Sequence, residues 1–218
     1  RQRQMCIRDR KDTYGNVVHQ NPHMRIITYS RSKKIDLIEA ALQLDLHHSV
    51  DLWLTEQINE DLKSYKQQTG MIEFSDMITK FVKEDKRLAL DAVFLDEAQD
   101  LSPLQWDMFF HIEKQCERSY IAGDDDQTIY GFQGADPNIF IGLKHNTEES
   151  FIFDNQIKSH RVPKKIHAKA LEILKQITER LDKPWEARDE EGTYKENCLL
   201  TDFNFKSCLL YTSDAADE

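Results

Sequence analysis

The sequence predicts an α/β fold built on a parallel sheet, and three observations point to it. A short apolar run, Ala92-Val93-Phe94-Leu95, ends in two adjacent acids, Asp96 and Glu97. A second strand-like run, Arg118 to Ala122, ends in Gly123 and the acids Asp124, Asp125 and Asp126. Stretches with helical apolar spacing flank and separate the two. Strands that run out into charge at one end are how an open α/β sheet delivers polar groups to its carboxyl edge, where such sheets bind ligands.

At 218 residues and 25.7 kDa the chain holds one large domain or parts of two. Its 39% hydrophobic and 31% charged residues fit a soluble, rather polar globular protein. No apolar run approaches the roughly 18 residues of a membrane helix, and no secretory leader is present, so no membrane partner is expected. The cysteines (Cys6, Cys116, Cys198 and Cys208) show neither pairing pattern nor metal spacing. That points to a reducing, cytoplasmic location without a zinc site. The formal charge of −10 argues against coating nucleic acid by bulk electrostatics, but leaves a local strand-binding groove open.

Both ends, residues 1–10 and 207–218, resemble translated sequencing-adapter read-through and are set aside from fold reasoning. The interior is then expected to be an internal stretch of a longer protein.

Taken in order, Lys11 to Arg25 is patternless, with Gly15, Asn21 and Pro22 as turn signals. Ile26-Ile27-Thr28-Tyr29 reads as a short strand, and Lys34 to His47 as a helix with a broad apolar face. Val50 to Gln68 is a second helix closed by Gly70. A third begins at Ile72-Glu73-Phe74-Ser75-Asp76, with Ser75 as its cap. After the acidic strand, Ser102-Pro103 starts a helix whose Leu104, Met108 and Phe109 face the core, flanked by Trp106 and Phe110. A third strand is expected over Ser150 to Phe153, then a helix opened by Pro163 with its apolar face running to Leu181. Lys183 to Gly192 reads as polar turns, and Asn197 to Phe205 as a final strand.

The residues themselves suggest a chemistry. Two adjacent carboxylates at a strand end can divide two tasks: Asp96 holds a hydrated Mg²⁺ on nucleotide phosphates, and Glu97 orients and deprotonates an attacking water. A solvated acidic turn is the plain alternative. In Gly123-Asp124-Asp125-Asp126-Gln127-Thr128-Ile129-Tyr130-Gly131-Phe132-Gln133-Gly134, glycine-flanked aromatics can lie flat and exposed for base stacking. Gln127 can there reach a γ-phosphate or the attacking water; the plain alternative is a sharp loop with its aromatics tucked inward. Arg161, just ahead of a helix, can act as an arginine finger or sit in a surface ion pair.

In order and content together, Asp96-Glu97-Ala98-Gln99-Asp100, the Gly123 to Ala135 run and Ser159-His160-Arg161 closely resemble the UvrD/Rep/PcrA-like DNA helicases. Glu73-Phe74-Ser75-Asp76-Met77-Ile78 is similar to the acidic-aromatic segment that family carries ahead of its Walker B strand. The resemblance implies a RecA-like P-loop NTPase fold, incomplete here. Residues 11–147 would be part of the first RecA-like domain with its helical insertion, and 148–206 the beginning of the second. It implies ATP and Mg²⁺ as cofactors and single-stranded and duplex DNA as partners, with 3′ to 5′ movement usual in the family.

By the same resemblance, Asp96 binds Mg²⁺, Glu97 is the catalytic base, and Gln99 links the Walker B strand to the neighbouring motif. Gln127 senses the γ-phosphate, Tyr130 and Phe132 contact single-stranded bases, His160 packs on adenine, and Arg161 reaches the γ-phosphate. The family usually has Trp where Phe132 stands and Arg where Gln133 stands. No Gly-x-x-x-x-Gly-Lys-Ser/Thr phosphate loop occurs, and no glycine is followed by lysine. The expectation is therefore a helicase as the parent and an inactive chain in isolation. The alternatives are a non-enzymatic single-strand-binding or adaptor module, and part of a helicase–nuclease fusion.

Overall fold

A computed structural model describes residues 21–85, 87–144 and 152–194. The chain forms two compact units, Arg1–Phe153 with Glu179–Leu181, and Asp154–Thr178 with Asp182–Glu218.

The first unit opens with α1 (Pro22–Lys33), where the sequence pattern predicts a strand over Ile26–Tyr29. β-Branched residues favour strands locally, but two stronger effects decide here. The Asn21 side chain accepts the amides of His23 and Met24 ahead of Pro22, an N-cap with proline at the first helical position. Ile26, Ile27, Tyr29 and Ser30 then share a buried side. The next helix, α2 (Leu37–Gln43), is capped by Asp36 and is shorter than the apolar stretch Lys34–His47. Helix α3 (Leu52–Thr69) is capped by Asp51 and closed by Gly70 in the left-handed conformation. Ile26, Tyr29, Ala40, Ala41 and Val50 form the core between these helices.

Helix α4 (Phe74–Glu84) starts earlier than expected, with Glu73 rather than Ser75 at its cap. The Glu73 amide donates to Asp76 Oδ2 at 2.9 Å, so Asp76 supplies the acceptor that Ser75 would have. Lys66, its side chain 9% exposed, donates to both Glu73 and Asp76. Arg31 pairs with Glu73 and donates to Asn59. Burial opposes ionisation of Asp76, but the Lys66 hydrogen bond, the Glu73 amide and the charges of Lys66 and Arg31 outweigh it. They hold its carboxyl below the usual range.

Strand β1 (Ala92–Leu95) pairs in parallel with β2 (Arg118–Ile121), from Ala92 opposite Arg118 to Leu95 opposite Ile121. Helix α5 (Pro103–Glu113) lies between them in sequence, its start fixed by Ser102 and Gln105 bonding each other's backbone amides. Trp106, expected only at the flank of this helix, is its most buried residue at 1% exposure. It joins Ala98, Phe109 and Leu143 in a core that Val93, Leu95 and Ile121 cover from the sheet. Leu143 belongs to α6 (Pro137–Leu143), capped by Asp136 and not anticipated from the sequence.

In the second unit, β3 (Lys158–Pro163) pairs in parallel with β4 (Glu186–Arg188), with α7 (Lys164–Leu174) following β3 directly. The strand expected at Ser150–Phe153 is corrected: Ile152 and Phe153 are not in a strand, residues 150 and 151 lie outside the described ones, and the strand falls at Lys158–Pro163. Helix α7 stops at Leu174, short of Leu181, and the expected polar turns contain β4. The expected final strand and both adapter-like ends lie outside the described residues.

Candidate functional site

The ends of β1 and β2 are tied together before any side chain is considered. The Ala122 amide donates to the Leu95 carbonyl at 2.7 Å, and the Ala98 amide to the Ala122 carbonyl at 3.0 Å. Between these bonds the backbone turns sharply, and Glu97 takes a left-handed conformation with φ 51°. For a residue with a Cβ that costs on the order of 1–2 kcal/mol. Asp96 Oδ1 accepts the Glu97 amide at 2.9 Å, which steadies the turn. Both carboxylates remain exposed.

Gln99 joins the two strand ends. Its side chain is among the most deeply buried in the chain, at 1% exposure. Nε2 donates to Glu97 Oε2 at 2.8 Å, and Oε1 accepts the Asp124 amide at 2.9 Å. The neighbouring Gly123 makes this possible: a Cβ there would stand 2.9 Å from Gln99 Oε1 and 3.2 Å from Ala98 Cβ. Asp124 Oδ2 then accepts Gln127 Nε2 at 2.6 Å. Glu97, Gln99, Asp124 and Gln127 thus form one hydrogen-bonded chain. Burial raises the Asp100 carboxyl above its usual range, helped by the charge of Glu97 and opposed by a hydrogen bond from the Ile129 amide.

Asp124, Asp125 and Asp126 bring carboxylate oxygens within 4.8 Å of one another. Protein groups already engage them: Arg180 grips Asp126 through Nε and Nη2 at 2.8 and 2.7 Å, and the Leu181 amide donates to Asp125 at 2.7 Å. Asp96 is the better match to a magnesium ion. It offers hard oxygen donors at an exposed strand end, and among the described residues no lysine or arginine pairs with it or with Glu97.

Beyond Gln127 the loop carries Tyr130 and Phe132, 41% and 61% exposed, with ring centroids 6.2 Å apart and planes tilted by 42°. The aromatics are on the surface, not tucked into the core. Gly134, at φ 96°, closes this turn where a Cβ would meet Ser32 Cβ at 3.0 Å.

In the second unit, His160 and Arg161 are exposed, and with Ser159 and Arg188 they line an open cavity of about 720 Å³. Asp96, Glu97, Gln99, Gln127, Tyr130 and Phe132 all belong to the first unit, His160 and Arg161 to the second. Sequence reasoning passes over Arg188 as part of a polar turn and Arg180 as part of a helix. Gly123 carries a readable signal, a glycine directly after an apolar strand.

A family model, the UvrD/REP helicase N-terminal domain, matches residues 4–148. The chain belongs to the UvrD/REP helicase family. It is 24% identical over 161 residues to the RecBCD enzyme subunit RecB of Buchnera aphidicola, covering 69% of this chain and 13% of that protein. It is 34% identical over 92 residues to the ATP-dependent DNA helicase PcrA of Staphylococcus aureus, covering 42% of this chain and 12% of that protein. With an ATP-dependent helicase/nuclease of Lacticaseibacillus casei it shares 38% identity over 61 residues, 28% of this chain and 5% of that protein. The chain therefore spans 13% or less of the length of these relatives. No described helix is long and apolar enough to cross a membrane.

Proposed function

We propose that this chain is the middle of an ATP-dependent DNA helicase that couples ATP hydrolysis to movement along single-stranded DNA and duplex unwinding, in the 3′ to 5′ direction. Its first unit is part of a RecA-like domain with a helical insertion, and its second unit is the start of another. The observation that carries this reading is the hydrogen-bonded chain from Glu97 through Gln99 and Asp124 to Gln127. It gives a group near the reacting phosphate a rigid connection to the loop that bears the exposed aromatics.

In this reading Asp96 holds Mg²⁺, which when bound would neutralise charge on the phosphates. Glu97 takes the proton of the attacking water, and its bond from Gln99 fixes where that carboxylate points. Gln127 reports the γ-phosphate to the loop, and Tyr130 and Phe132 stack on bases. Arg161 contacts the γ-phosphate and His160 packs on the adenine. Without a phosphate loop the chain alone turns over no ATP, because backbone amides and a lysine supply much of the nucleotide affinity in this class.

Fluorescence anisotropy of a labelled oligo-dT tests the strand-binding part on the chain itself. Base–aromatic stacking contributes about 1–3 kcal/mol per base, so Tyr130→Ala and Phe132→Ala should each weaken binding severalfold or more. Phe132→Trp should tighten it. Unchanged affinity in all three variants contradicts the assignment.

A helicase–nuclease fusion is the second reading, favoured by the similarity to the Lacticaseibacillus casei helicase/nuclease. Finding a nuclease motif downstream in the uncut gene would select it.

A further inference from the structure

The second unit places one more cation beside Arg161. Strands β3 and β4 pair at Lys158 opposite Glu186 and at Pro163 opposite Arg188. Four residues of β3 therefore stand against one of β4, and the excess must bulge. Ser159 Oγ holds the bulge by accepting the amides of Arg161 and Val162 at 3.3 and 3.0 Å. Bulges re-aim side chains. This one turns Ser159, His160 and Arg161 onto the cavity that Arg188 lines from the end of β4.

The cavity's polar side chains are donors in search of acceptors. Arg188 pairs with Glu190 through Nη2 at 2.6 Å, but its Nε is buried and makes no hydrogen bond among the described residues. An unpaired buried N–H is costly, and an incoming oxyanion would satisfy it. Arg161 is exposed, and no described carboxylate pairs with it. The first amides of α7 are already taken, Lys164 by the Glu190 carbonyl and Lys165 by the Glu191 carbonyl, each at 3.0 Å. Recognition of an anion therefore falls to the two guanidinium groups, whose forked donors match phosphate oxygens.

We propose that Arg188 is a second phosphate-binding arginine beside Arg161, and that this cavity takes the terminal phosphates of a nucleoside triphosphate. The proposal rests on the nucleotide reading of Arg161 given above. Glu190 acts as a stand-in counter-ion that the phosphate displaces from Arg188.

Isothermal titration of the full chain with pyrophosphate tests it. The wild-type chain should bind, and Arg188→Met and Arg161→Met should each weaken binding about tenfold, the scale of one charge-assisted contact. Arg188→Lys, which keeps the charge and guards against misfolding, should lose less. Glu190→Gln should tighten binding, a gain that a purely structural Arg188–Glu190 pair would not produce. If Arg161→Met weakens binding while Arg188→Met and Glu190→Gln leave it unchanged, the role of Arg188 is overturned and that of Arg161 stands. If the wild-type chain binds no pyrophosphate at millimolar concentration, the pocket is overturned, Arg161 included.

Discussion

The side-chain amide of Gln99 donates to the Glu97 carboxylate at 2.8 Å, from a position almost wholly closed to solvent. The other end of the same amide accepts the backbone N–H of Asp124, so one buried group ties the two strand ends together. A low surrounding dielectric strengthens such bonds and makes their loss expensive.

Replacing Gln99 with Ala removes both bonds, leaves the Asp124 amide without its acceptor, and opens a void. The expected cost is about 2–3 kcal/mol, read as a lowered urea midpoint at unchanged slope. A variant as stable as the wild type would show that the bridge contributes nothing to the fold.

Gly123 sets the clearance for that bridge. A methyl group there lies inside contact distance of Gln99 Oε1, and Gln99 cannot yield because it is held at both ends. Gly123→Ala should therefore cost about 1–3 kcal/mol in thermal melts. On the Gln99→Ala background the same substitution should cost clearly less, since the obstacle is gone. Strict additivity of the two changes would contradict the contact.

The ion cluster under α4 makes stability depend on pH. Lys66, the Glu73 amide and Arg31 hold the Asp76 carboxyl below its usual range despite the burial that opposes them. Its folded pKa is thus lower than its unfolded value of about 3.9. The stabilisation is present above that unfolded value and is lost as pH falls through the folded one. Solvent at the rim screens the cluster, so Asp76→Asn should cost on the order of 0.5–1 kcal/mol near neutral pH. Melts of both proteins between neutral pH and strong acid should converge at the acid end. A constant gap across the range would assign the loss to shape rather than charge.

Much of the scaffold is legible in the sequence because its signals are local. Ser102-Pro103 caps a helix wherever it lies, and four apolar residues bounded by charge leave little choice but a strand. Asp136-Pro137 carries the same kind of cap for α6, hidden by the glycine-rich run before it. Where signals are non-local, reading fails. Ile26-Ile27-Thr28-Tyr29 favours a strand by side-chain stiffness, and only burial against Ala40, Ala41 and Val50 makes it a helix. β3 is a polar stretch that becomes a strand only because β4 lies beside it, and β4 itself is three residues long. The same limit applies to the candidate site. Adjacent acids at a strand end are visible in the sequence, whereas a bond between Gln99 and a backbone amide twenty-five positions on needs coordinates.

The central claim is that Glu97 activates water for ATP hydrolysis in the parent protein. DNA-stimulated ATP turnover by the uncut protein, measured beside its Glu97→Gln variant, tests it most directly. The amide keeps the shape but cannot take the proton, so turnover should fall at least about a hundredfold while oligonucleotide affinity stays unchanged. Turnover retained near the wild-type rate would contradict the account.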